Sequence, residues 1–158
     1  DASPYSLQER LPGELQYSDA EQVYGTSHTY DLQDENRFGE LYFRLRGESG
    51  SEEFFSNEVM LFVEPEIRIP NAFRPDSDNP ENQTFKPEFP AGFQYSITIY
   101  NRNGMEVYSS GFSENEEWDG KYNRTPAAGG TYLYHIRYES SLPGIDDGER
   151  KGVLYLVR

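Results

Sequence analysis

Apolar and polar residues alternate with period two along most of this chain, the pattern of strands that bury one face. In LYFRLRG, Leu41, Phe43 and Leu45 share one face, and Tyr42, Arg44 and Arg46 the other. In SNEVMLFVEP, Val59, Leu61 and Val63 oppose Met60 and Phe62. FQYSITIYN sets Phe93, Tyr95, Ile97 and Ile99 against Gln94, Ser96 and Thr98. TYLYHIRY sets Tyr132, Tyr134, Ile136 and Tyr138 against Leu133, His135 and Arg137, and the tyrosine-rich row is expected to face a core. In KGVLYLVR, Val153, Tyr155 and Val157 oppose Leu154 and Leu156, as in a strand covered on both sides.

Turn signals separate these runs: Pro12-Gly13, Gly47 to Gly50, Asn103-Gly104, Asp119-Gly120, Gly129-Gly130, Pro143-Gly144 and Asp147-Gly148. Asn103-Gly104 lies between ITIYNR and MEVYSS and predicts a hairpin with a turn compatible with type I′. Short strands at regular spacing predict an all-β chain of antiparallel β-sandwiches. A boundary falls near VEPEIRIP, where Pro65 ends one strand and another is expected from Glu66, giving domains 1–65 and 66–158.

Composition sharpens this picture. The chain has 158 residues, with 13 tyrosines and 10 phenylalanines, so its cores must be built largely from rings. Net charge is −14 and unevenly spread: residues 1–66 carry 4 basic and 15 acidic side chains, residues 67–158 carry 10 and 13. Such a surface repels phosphate backbones and anionic lipid, so no nucleic-acid partner is expected. The absence of cysteine excludes disulfides, thiolate metal sites and cysteine nucleophiles. No apolar run approaches the ~18 residues of a membrane-spanning helix, so no direct membrane insertion is expected. The opening DASPYSLQER has neither an initiator methionine nor a signal peptide, and reads as the start of a fragment or a mature portion.

Two resemblances add to this reading. YSLQER, LQYSDAEQVYG, HTYDLQD, LYFRLRG and FFSNEVMLFVEP resemble the second half of a fibronectin type III domain, with Tyr30 and Leu32 before the penultimate strand. The resemblance implies an Ig-like sandwich that is incomplete, lacking its two opening strands. Further on, IPNAFRPDSDNPENQTFKP, YSITIYNRNGMEVYSS, WDGKYN, PAAGGTYLYHI and KGVLYLVR follow in order. Together they resemble the type B sorting domain of the type IX secretion system, the C-terminal domain associated with gliding motility. The matching motif positions are Pro70, Asn71, Phe73, Asn101, Arg102, Gly104, Trp118, Asp119, Gly120, Gly130 and Tyr132. This implies two consecutive Ig-like sandwiches, the second being an export signal. The implied partners are the type IX outer-membrane translocon, its associated β-barrel proteins, and the N-terminal cargo of the same polypeptide, which in this family is a large exported adhesin or enzyme. The implied destination is the cell surface or the medium, after passage through the periplasm.

Within that frame the final strand, Lys151, Gly152, Val153, Leu154, Tyr155, Leu156, Val157 and Arg158, is the expected partner-binding segment. An edge strand there would expose N–H and C=O groups that a partner can extend. Lys151 would add a cation, Arg158 a second beside the terminal carboxylate, and Gly152 would allow close backbone approach.

Other chemistry is thin. Trp118 precedes Asp119-Gly120, a turn pair, and is expected to cap one end of a sandwich; the competing reading is an exposed sugar-stacking platform. Asp76, Asp78 and Glu81 in PDSDNPENQ are oxygen donors at short spacing and form a calcium candidate. The stretch lacks the glycine turn and distal glutamate of a calcium loop, so no cofactor is expected. His28 and His135 lie in predicted strands without a serine motif, and the carboxylates of SENEEWDG read as a solvated loop. The chain is therefore expected not to be an enzyme. The alternatives are a carbohydrate-binding sandwich and the stalk of a surface adhesin.

Overall fold

A computed structural model describes residues 4–32 and 37–158. The chain divides into two compact units, Asp1–Pro65 with Leu142–Gly144, and Glu66–Ser141 with Ile145–Arg158. Both are built from strands. The described residues contain no α-helix, only a 3₁₀ turn at Pro80–Asn82 capped by the Asn79 side chain. The all-β, antiparallel class read from the alternation is the class observed, with one short parallel pairing, Ala72–Phe73 beside Tyr155 and Leu156.

In the first unit, β1 (Tyr5–Arg10), β2 (Ser18–Val23), β3 (Gly39–Ser49), β4 (Glu52–Phe55) and β5 (Val59–Val63) form one sheet. β3 is the long central strand. It pairs with β1 along one side, and with β5 and then β4 along the other. Register sets Leu7 opposite Leu45, Leu41 opposite Leu61, and Phe43 opposite Val59, so one face is apolar. Part of that face remains an open hollow of about 520 Å³ lined by Leu7, Val23, Phe43, Leu45, Val59 and Leu61. The arginines that alternate with these residues point the other way. There Arg10 lies 4.0 Å from the Tyr42 ring, and Arg44 lies 3.9 Å and 4.1 Å from the rings of Tyr17 and Phe55. Such cation–π stacking lets a charged face also cover apolar surface.

Three sequence expectations are corrected in this region. FFSNEVMLFVEP forms two strands, because Ser56 interrupts it: its N–H donates to the Leu45 carbonyl and its Oγ accepts the Leu45 N–H. HTYDLQD forms no strand over His28–Leu32, and Gln33 and Asp34 lie outside the described residues. The strand expected from Glu66 is only an isolated bridge between Arg68 and Glu88; Pro65 and Pro70, which lack N–H groups, flank that stretch.

In the second unit, β6 (Ala72–Phe73), β7 (Phe93–Asn101), β8 (Glu106–Ser109), β11 (Gly130–Ser140) and β12 (Gly148–Leu156) form a sheet in the order β6-β12-β11-β7-β8. A small hairpin, β9 (Lys121–Tyr122) and β10 (Thr125–Pro126), stands apart. Phe93, Tyr95, Ile97, Ile99, Tyr132, Ile136, Tyr138, Leu154 and Leu156 are buried on one face of the sheet. The opposing layer is irregular and supplies Phe85, Pro87, Phe89 and Trp118; Phe89 stacks on Tyr95 with ring centroids 4.6 Å apart. The tyrosine row thus faces the core, as its period required.

The strand at KGVLYLVR is covered on one side only. Leu154 and Leu156 are buried, whereas Val153, Tyr155 and Val157 are exposed. The turn at Asn103-Gly104 is also not type I′. Asn103 is not in the left-handed region; Gly104 N–H bonds to the Asn101 carbonyl, and Gly104 itself takes φ +76°. That geometry is a four-residue turn whose last residue is a left-handed glycine. The two-residue turn with left-handed residues occurs instead between β9 and β10, at Asn123 (φ 51°) and Arg124 (φ 66°). The absence of glycine there hides it from the sequence.

Candidate functional site

The motif residues, scattered over sixty positions, meet at one end of the second unit, around Trp118. The Trp118 ring is fully buried. It packs against Phe73 and Tyr132 at 5.4 Å and 5.1 Å between ring centroids, and its indole N–H donates to the Lys121 carbonyl at 2.9 Å. Its main chain bonds in both directions with Phe85. A buried ring offers no face to a sugar, so the sugar-platform reading of Trp118 fails.

The turn after Trp118 is built by its own residues. Asp119 Oδ1 accepts the Lys121 N–H at 3.0 Å, and Asp119 Oδ2 meets the Lys121 ammonium at 2.6 Å. Burial pushes the Asp119 carboxyl up, but the Lys121 bonds outweigh it and hold the group below its ordinary value. Gly120 turns the chain at φ +74°. Its carbonyl then collects the Ala127 N–H and the Arg158 guanidinium, each at 2.9 Å. Arg158 Nε also donates to the Ala127 carbonyl at 3.2 Å. So Arg158, expected beside a partner, ties the end of the last strand to two loops of its own unit.

The other motif positions serve the same end. Tyr132 O–H donates to the Ala128 carbonyl at 2.7 Å, and Gly130 pairs with Leu156. Asn101 Oδ1 accepts the N–H groups of Asn103 and Met105, fixing the turn that carries Arg102 and Gly104. The Asn71 carbonyl, next to Pro70, accepts the Tyr155 N–H at 2.9 Å and starts β6 against β12. The side chains of Asn71 and Arg102 are exposed and make no hydrogen bond among the described residues.

Of the expected partner-binding strand, Lys151, Val153, Tyr155 and Val157 are exposed, and Leu154 and Leu156 belong to the core. The space over Gly152 is taken by the Tyr134 ring and hydroxyl, which an added Cβ would strike. Lys151 Nζ bonds Glu149 at 2.6 Å, and His135 Nε2 approaches the same carboxylate at 2.7 Å. Those two contacts, Lys151 first, hold Glu149 below its ordinary value. This imidazole–carboxylate pair lies on an open sheet face. His28 contacts Glu21 in the first unit.

The calcium candidates do not converge. Asp76 is turned to Arg74, which holds its carboxyl below the usual range. Among the described residues no three acidic or histidine side chains are placed to hold a metal ion.

Two phenols buttress the Trp118 segment. Tyr95 O–H donates to the Pro87 and Glu116 carbonyls at 3.1 Å and 2.9 Å, and Tyr108 O–H to the Glu117 carbonyl at 2.8 Å. Burial, then the nearby Glu116 carboxylate, pushes each up to about 12. The fold therefore favours the neutral phenols. Their contribution is complete below the ordinary value of 10.0 and is lost as pH rises through about 12. The thermal midpoint, followed by circular dichroism, is expected to hold level up to the ordinary tyrosine range and then to fall steeply, in step with tyrosinate absorbance. A fall that ran ahead of tyrosinate formation would show that other groups control alkaline unfolding.

A model of the CHU_C type IX secretion signal domain matches residues 67–156, and no curated protein matches the chain.

Proposed function

Since this chain belongs to the type IX secretion signal domain family, we propose that residues 66–158 are read in folded form by the outer-membrane translocon and its associated β-barrel proteins. The attached cargo then passes from the periplasm to the cell surface or the medium. The observation that carries this reading is where the motif residues go. Phe73, Asp119, Gly120, Gly130 and Tyr132 build one packed end around Trp118, Asn71 and Asn101 fix the main chain beside it, and none is arranged for catalysis. A pattern that encodes shape suits a module that is recognised, and the family itself is a secretion signal and not an enzymatic one. The partner surface is proposed to include the exposed positions of the last strand. Residues 1–65 are proposed as one layer of a fibronectin-type sandwich, a spacer between cargo and signal.

Deleting residues 151–158 would remove the buried Leu154 and Leu156 and unfold the module, so truncation is a poor test. A graft is cleaner. Residues 66–158 placed behind a signal peptide and a fluorescent carrier, in a bacterium with a type IX apparatus, are expected to bring the carrier to the surface. The surface signal is expected to vanish in a strain without the translocon. Equal display from an unrelated β-sandwich in the same place would overturn the reading.

A further inference from the structure

The last strand is second in its sheet, yet most of one side is open. β6 pairs with it only at Tyr155 and Leu156. Tyr155 and Val157 donate their N–H groups to Asn71 and Phe73, away from β11. Backbone direction alternates along a strand, so the N–H and C=O groups of Lys151 and Val153 face the same way. Beside them β6 has not yet begun. The chain that could have covered them is drawn off: Arg68 and Glu88 exchange main-chain bonds in both directions at 3.0 Å and 2.8 Å, holding that segment against the opposite layer.

The outer face beside this edge is apolar. Val153 sits directly opposite Leu133, and Leu133 opposite Tyr100. Val153 and Leu133 are 42% and 48% exposed, and Tyr155 on the same face is 52% exposed. A row of apolar side chains flanking unpaired backbone groups is what an added strand requires: the ladder supplies affinity, and alternate side chains supply selectivity.

We propose that the edge of β12 at Glu149–Val153 accepts a β-strand of the export apparatus, about five residues long and apolar on the face that meets Val153 and Leu133. This rests on the type IX reading above. Charge selects the occupant. A second copy of this chain would bring together two molecules of net charge −14, which opposes edge-to-edge pairing.

The test uses the grafted carrier with Val153→Pro. Proline at 153 removes an N–H that faces the open side and leaves the β11 ladder, carried by Gly152 and Leu154, intact. The expected result is a module that keeps its thermal midpoint while surface display drops to that of the carrier alone. Val153→Thr, which keeps the N–H, is expected to retain display. A folded Val153→Pro module displayed like the parent would overturn the proposal. Should that variant not fold, hydrogen exchange on the parent decides: the Lys151 and Val153 amides are expected to exchange fast alone and slowly with detergent-solubilised translocon, and unchanged exchange overturns the proposal. Sedimentation showing a dimer that Val153→Pro abolishes would assign the edge to self-association and overturn it as well. If the parent graft itself is not displayed, the type IX reading has failed, and this inference fails with it.

Discussion

Trp118→Ala is expected to cost the second unit about 3–5 kcal/mol, the range for removing a large buried aromatic side chain. The ring is fully buried and lies between Phe73 and Tyr132. Truncation also leaves the Lys121 carbonyl without its indole donor, a further cost when the group remains buried. Domains of this kind are stable by only about 5–15 kcal/mol, so the loss takes a large share of the unit's stability. The check is a urea titration followed by far-UV circular dichroism, comparing the parent, Trp118→Ala and Trp118→Phe. Phenylalanine keeps most of the packing but loses the hydrogen bond and part of the ring volume, so its midpoint should fall between the other two. An alanine variant with the parental midpoint would mean that the ring does not organise this end. If export reads a folded shape, display of the graft should fall in the same order.

Gly120→Ala is the second large effect, and Gly104→Ala is its control. Both glycines have positive φ, +74° and +76°, a conformation that costs an alanine roughly 1–2 kcal/mol. Their surroundings differ. Nothing lies within 4 Å of a Cβ built on Gly104. A Cβ on Gly120 would lie 3.0 Å from Pro75 and 3.3 Å from both Leu156 and Phe73. Those neighbours belong to the packed end and have little room to move, so overpacking adds about 1–3 kcal/mol to the backbone term. Gly120→Ala should therefore destabilise clearly more than Gly104→Ala in the same titration. Equal losses would show that the turn accommodates a methyl group and that only its dihedral angle matters.

Much of this was legible in the chain because period-two alternation reports burial directly. Tyr95, Ile97, Ile99 and Ile136 were placed on the core side by period alone and are buried. Other elements escaped because a local contact overrode propensity. Ser56 satisfied Leu45 with its side chain and broke a run that looked continuous. Asn123 and Arg124 took left-handed turn conformations that an arginine does not advertise. The final strand misled for a different reason: Val153 and Tyr155 are apolar and suggest cover, yet no second layer lies over them.

The amino-acid order alone determined the all-β class, the ring-built core of the second unit, the face each alternating side chain takes, and the ordered motifs that mark a secretion signal. Those features depend on residue type and near neighbours, and sequence states both. Only the tertiary structure decided that Trp118 is sealed, that Arg158 binds loop carbonyls, and that β12 is open from Glu149 to Val153. These depend on which remote segments win the competition for backbone partners. Arg68 pairs with Glu88 and leaves Lys151 and Val153 uncovered, an outcome set by the relative positions of strands distant in the chain, which no local period encodes.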